Sequence, residues 1–253
     1  MPARIARSAI VELRARIAHL DGGDARARQV LPFGVPQIDG KLPGGGLALG
    51  ALHEVAGGGG GALDGAAAAC FAAGIAARAQ GKALWCVTRQ DLFAPGLEQA
   101  GLHPDRLILV EAGDDRTVLA CMEEGLRHGG LGAVVADVAR LPMSASRRLH
   151  LAAKQGGAIG IALRRWRRQA EASDFGQPTA AMTRWRISAL PSSPLPVPGV
   201  GRPRWLVELI RARAGESLDI ELEACDGSGH LGLPADMADG PAAAEDRRRS
   251  AVR

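Results

Sequence analysis

Five glycines in a row, Gly57 to Gly61, follow the short apolar run ALHEVA at 51–56 and lead into an alanine-rich stretch at 62–79. Strand, glycine run and helix in that order are the setting of a phosphate-binding loop. There the backbone N–H groups wrap the phosphates, a lysine neutralises them, and a Ser or Thr hydroxyl holds magnesium. The setting is present and the chemistry is not. With Gly57 opening the motif, Gly58, Gly59, Gly60 and Gly61 follow, Ala62 takes the last glycine position, Leu63 the lysine position and Asp64 the hydroxyl position. No shift of register repairs this: the chain has three lysines (Lys41, Lys82, Lys154), and no Ser or Thr lies between Lys41 and Thr88. Asp64 would set negative charge against any phosphate, a penalty of several kcal/mol in a shielded site. The expectation is no cofactor and no useful ATP hydrolysis, with residual nucleotide binding through the glycine backbone left open. Five glycines also serve simply as a tight strand-to-helix turn. A second strand, VVAD at 134–137, ends in Asp137, as strands do that present a carboxylate to magnesium.

The other chemistry is basic. Residues 164–168 read RRWRR, and over 164–186 the arginines Arg164, Arg165, Arg167, Arg168, Arg184 and Arg186 outnumber Glu171 and Asp174. Guanidinium groups pair with phosphates and an indole such as Trp166 stacks on a base, so the segment suits single-stranded DNA. It equally suits an acidic protein partner, or a solvated face with Trp166 in the core. The opposite charge of Glu216, Asp219, Glu221, Glu223 and Asp226 gives the C-terminal region an acidic edge.

Metal and nucleophile chemistry find no support. The histidines (19, 53, 103, 128, 150, 230) lack ligand spacing, and Cys70, Cys86, Cys121 and Cys225 form no C-x-x-C pair. No G-x-S-x-G elbow occurs, and Gly227-Ser228-Gly229 reads as a turn.

These residues need elements to position them. ALWCVT (83–88), LILV (107–110), LGAVVAD (131–137) and AIGIAL (158–163) are short apolar runs, as in parallel strands covered on both faces. Helices are expected after the Pro-Gly pair at 95–96, over about 116–128 behind Asp114 and Asp115, and from a Ser144 or Ser146 cap to about Gln155. The alternation predicts a doubly wound α/β core. RWRISAL (184–190), RWLVELIRAR (204–213) and SLDIELEA (217–224) alternate apolar with charged residues, predicting antiparallel strands added at one sheet edge. At the other end, Ile10, Leu13, Ile17 and Leu20 lie on an apolar stripe that predicts an amphipathic helix, packed on its own domain or docked on a partner. The expected organisation is a helix at 1–22, a linker and irregular Gly/Pro-rich segment at 23–50, the core at 51–165, a basic loop at 166–183, antiparallel strands at 184–234 and a disordered tail at 235–253.

With 253 residues, 47% hydrophobic and 23% charged, the chain has ample core and is no polar disordered protein. The N-terminus lacks the apolar centre of a secretory signal, and the alanine-rich stretch contains Asp64 and fails as a membrane span. A soluble, reduced, cytoplasmic protein without membrane contact is expected.

Taken together, the residues resemble the RecA-like recombinase superfamily and, more closely, the bacterial ImuA family of mutagenesis-associated, SulA-like proteins. The leading segment LPFGVPQIDGKLPGGGLALGALHEVAG (31–57) carries the superfamily pattern; TRWRI (183–187), GRPRWLVELIRAR (201–213) and LEACDGSGHLGLPA (222–235) are similar to ImuA alone. The resemblance spans about residues 31–235 and implies a RecA-like core. In it, Gln90 takes the place of the catalytic glutamate of active recombinases, and Asp137 matches their strand-end aspartate. Glutamine can hydrogen-bond a water but cannot take its proton, so this departure and the loop's Leu63 and Asp64 both imply a lost ATPase. The implied role is accessory: an interaction adaptor in translesion DNA synthesis acting with an inactive polymerase-like partner of the ImuB type and with RecA. The rivals are a nucleotide-dependent recombinase-like ATPase and a cell-division inhibitor of the SulA type. Direct contact with DNA and self-association stay open.

Overall fold

The structure is a computed structural model and describes residues 29–59, 61–166, 175–192, 195, 198–213 and 215–234. The predicted N-terminal helix with Ile10, Leu13, Ile17 and Leu20, together with Gly60, Arg167, Arg168 and the tail at 235–253, lies outside the described residues.

The chain enters through a short strand β1 (Val30–Leu31), a helical turn α1 (Pro36–Asp39) and β2 (Leu47–Ala48), with β1 and β2 paired antiparallel. This differs from the irregular linker expected there. The reason is burial: Phe33, Val35, Ile38, Leu42 and Leu47 all enter the core. Asp39 fixes the bend, its carboxylate accepting from the amides of Phe33 (2.7 Å) and Gly34 (2.9 Å). Phe33 then stacks on Phe71 and tilts against Trp185 at ring-centre distances of 5.7 and 5.2 Å.

Five parallel strands and their helices follow: β3 (Leu52–Gly57), α2 (Ala62–Arg78), β4 (Lys82–Val87), α3 (Ala94–Gln99), a 3-10 turn (Pro104–Arg106), β5 (Leu107–Glu111), α4 (Asp115–Arg127), β6 (Leu131–Val138), α5 (Met143–Gly156) and β7 (Ile159–Arg164). Asp114 is the N-cap of α4, accepting from the amides of Arg116 and Thr117. The serine cap expected for α5 is not made. Pro142 starts that helix, and buried Ser146 instead donates to the carbonyl of Met143 and accepts from the amide of Ala180.

Strand β8 (Thr183–Leu190) joins β3 in parallel, and β9 (Arg204–Ala212) and β10 (Leu218–Glu223) continue antiparallel. The eight-stranded sheet runs β10-β9-β8-β3-β7-β6-β4-β5. One face packs on α2 through Phe71, Ile75, Trp85, Val135, Trp185 and Trp205; the other packs on α4 and α5 through Met122, Leu126, Leu149 and Ala153. The alanines of α2 let the helix approach the sheet closely. A Cβ at Gly74 would lie 2.4 Å from the Cys225 sulfur, so that helical glycine marks where the C-terminal chain crosses. No helix among the described residues is long and apolar enough to cross a membrane.

Candidate functional site

A cavity of about 870 Å³ opens at the C-terminal ends of β3, β4, β6 and β7, where doubly wound sheets place ligands. Gly57, Gly59, Gly61 and the small residues Ala62, Gly65 and Ala66 of α2 form one wall, Leu92, Phe93 and Leu97 a second, and Arg89, Asp91, Asp114, Asp115, Asp137 and Arg165 the charged floor.

The glycine loop is stitched to β8. The Gly58 amide donates to the carbonyl of Ile187 (2.8 Å), and a Cβ at Gly58 would lie 1.8 Å from the Ser188 hydroxyl. Asp64, in the first turn of α2, accepts from the amide of Ala189 (2.8 Å). The carboxylate that stands in the hydroxyl position therefore serves as a latch between loop and sheet. Leu63 points outward, 77% exposed. No cation of the loop faces the cavity.

Asp137 sits near the end of β6 as expected, and its partner is internal. The Arg165 guanidinium donates to Asp137 at 2.6 Å and to Asp91 at 2.9 and 3.2 Å, bridging the two carboxylates. Burial raises the Asp137 carboxyl to about 6, against the lowering pull of Arg165. Burial would raise Asp91 as well, but the hydrogen bond and charge of Arg165 outweigh it and leave that group lowered. Arg165 is correspondingly raised: desolvation acts against its charge, and Asp137 and Asp91 overcome it. Gln90 is exposed and does not line the cavity, whereas Arg89 and Asp91 on either side of it do.

The described members of the RRWRR cluster, Arg164, Arg165 and Trp166, do not share one surface. Strand alternation sends its members apart. Arg164 closes β7 with no exposure, its guanidinium donating to Glu54 (2.6 Å) and to the carbonyl of Ala139 (2.6 Å). Arg184 reaches the same Glu54 from β8 (2.9 Å), lies over the Phe175 ring, and is 7% exposed. Thr179 completes the carboxylate's shell at 3.0 Å. Arg164 and Arg184 are thus corrected from DNA or partner contacts to members of a buried Arg–Glu–Arg network. Arg186 is half-exposed and engaged twice by Glu208 on the neighbouring strand. Trp166 lines the cavity and packs edge-on against Phe175 at 5.5 Å.

His53 and Glu54, which lack the second histidine of a metal-binding helix and are expected to be structural, are both fully buried in β3. His53 Nε2 lies 3.0 Å from the Ala48 carbonyl, which can only accept, so that nitrogen carries the proton. Nδ1 then accepts from the Thr183 hydroxyl (2.7 Å), whose oxygen takes the Trp185 indole N–H (2.7 Å). Burial lowers the His53 pKa to about 4. A charged or polar pair inside an otherwise apolar strand was the available signal. No group of three or more metal-ligating side chains gathers among the described residues.

Fold and cavity define a class: a doubly wound α/β protein with the setting of a phosphate loop, whose loop latch and floor charges are engaged within the chain. Protein ImuA from two strains of Caulobacter vibrioides is 41% identical over 206 residues, covering 78% of this chain and 84% of the relative. No family model matches the chain. The chain belongs to the ImuA family.

Proposed function

We propose that this protein is a non-catalytic accessory factor of damage-induced mutagenesis, working as an adaptor between a polymerase-like partner of the ImuB type and RecA during translesion synthesis. Family membership supports the pathway. One observation supports the loss of catalysis: the groups that would serve a nucleotide are bound to the chain itself. Asp64 latches β8, and Arg165 occupies Asp137, the strand-end carboxylate that would face magnesium, together with Asp91. A triphosphate entering the cavity would find no lysine, and would meet Asp114 and Asp115 at the floor. Arg89 and Arg165 line the cavity, and both are paired with Asp91.

Within the described part of the basic segment, Arg165 and Trp166 line the cavity. Two titrations of the purified chain test the reading. Magnesium ATP is expected to show no saturable binding, and purified ImuB-type protein or RecA is expected to bind. Magnesium-dependent ATP binding with turnover would favour the recombinase-like rival. Cell filamentation on overproduction, with an unchanged mutation rate, would favour the SulA-type rival.

A further inference from the structure

The eight-stranded sheet ends in two edges of opposite character. At β10 the sequence LDIELE places Asp219, Glu221 and Glu223 among the apolar residues, and the returning chain covers the end of the strand through an antiparallel bridge from Glu223 to Gly232. Charge and cover of this kind keep foreign strands from pairing. At β5 the sequence LILVE carries charge only at its last residue, Glu111, and no described segment covers it. Among the described residues it pairs with β4 alone; it contains no lysine, proline or bulge, and leaves Ile108 41% and Leu109 36% exposed.

The open edge is apolar on both faces. Ile108 and Val110 lie on one side, Leu107 and Leu109 on the other, because side chains alternate along a strand. Its ends are acidic: the Asp105 side chain is 89% exposed, and Glu111 and Asp114 are exposed at the far end. Arg106 does not offset them outward, since its guanidinium donates to the carbonyls of Ala77, Ala79 and Gly81.

These charges decide between occupants. A second copy pairing antiparallel about Leu109 would bring Asp105 of one chain diagonal to Glu111 of the other, a like-charge contact that destabilises a ladder. A five-residue ladder is also far smaller than the roughly 1,200 Å² a stable dimer buries. A strand with an aliphatic centre and basic flanks avoids the like-charge contact, and its short ladder suits a transient complex rather than a stable dimer.

We propose that β5 is a docking edge for an extended segment of another protein, aliphatic at its centre and carrying arginine or lysine at both ends, which adds as a ninth strand. The inference rests on the adaptor reading and names the chemistry of one partner. The probe is the synthetic peptide KRVTVIVRK, titrated into the full-length chain by fluorescence anisotropy, with hydrogen exchange followed in parallel. Saturable binding that slows exchange across Leu107–Glu111 is expected. Leu109→Lys should weaken it at least tenfold, the paired change Asp105→Lys and Glu111→Lys severalfold, and Asp219→Lys on the other edge not at all. Unchanged thermal melting shows that Leu109→Lys still folds; should it not, Ile108→Thr is the second variant, with a smaller loss expected. Absence of binding, protection elsewhere, or concentration-dependent self-association that protects 107–111 without peptide would overturn the proposal. Each of those outcomes leaves the adaptor reading standing, whereas ATP turnover would remove that reading and leave the edge intact.

Discussion

Arg164 and Arg165 are neighbours in sequence and belong to different worlds in the fold. Arg164 shares Glu54 with Arg184 in a site closed to water, its partners drawn from β3, β8 and the turn after β6. Arg165 bridges Asp91 and Asp137 on the wall of an open cavity. Both are cation–carboxylate clusters, but only the second can exchange its partner for a solute. The difference teaches that a run of arginines is not a patch: at the end of a buried strand, alternation turns one residue into the core and the next toward the cavity.

The largest effect separating the two clusters should come from Glu54→Gln. It leaves two buried guanidinium groups without a counter-charge, and removing one partner of such a network typically costs about 3–5 kcal/mol. Thermal melting should fall by about 10 °C in a chain of this size. Asp137→Asn in the open cluster should not lower neutral-pH stability and is expected to raise it, because burial makes the ionised carboxylate unfavourable and Arg165 keeps Asp91. Similar losses for both variants would erase the distinction.

The loop latch comes next. Gly58→Ala forces a Cβ against the Ser188 hydroxyl and should cost about 1–3 kcal/mol, the range of overpacking. Adding Ser188→Gly should restore most of it in a denaturation double-mutant cycle. Full additivity would show that loop and β8 are not in contact.

Acid titration sharpens the comparison further. His53 is held neutral by burial, with its pKa lowered to about 4, so the unfolded chain binds this proton first as pH falls below about 6.5. Stability from this group is therefore lost between about pH 6.5 and 4, by roughly 3 kcal/mol when complete. Asp137, raised to about 6, acts in the opposite sense: the folded chain takes up its proton first, and stability is gained as pH falls from about 6 toward 3.8. The two offset one another. Urea midpoints across this range should fall more steeply in Asp137→Asn than in the parent chain. The smallest effect is expected for Arg186→Ala, whose half-exposed pair with Glu208 is worth about 0.2–1 kcal/mol.

The strands and helices of the core were legible because unbroken apolar runs and glycine stops follow directly from burial on both faces of a sheet. ALWCVT, LILV and LGAVVAD fall within a residue of β4, β5 and β6. The alternating charged strands were legible for the same reason, their outer faces remaining wet. The missing lysine was legible because absence of a residue type needs no geometry. What the sequence could not show was pairing over distance. Glu54 lies 110 residues from Arg164 and 130 from Arg184, so a buried network appeared in one dimension as a basic segment and a stray acid. The segment at 31–50 misled differently. Its glycines and prolines pointed to irregular backbone, while Phe33, Ile38 and Leu47 anchor it in the core.

The charged groups of the cavity beside the glycine loop are held by the chain's own partners. Calorimetric titration of the purified protein with magnesium ATP tests it most directly. The account predicts no saturable binding tighter than about 1 mM, equivalent to about 4 kcal/mol. A magnesium-dependent dissociation constant in the micromolar range would contradict it.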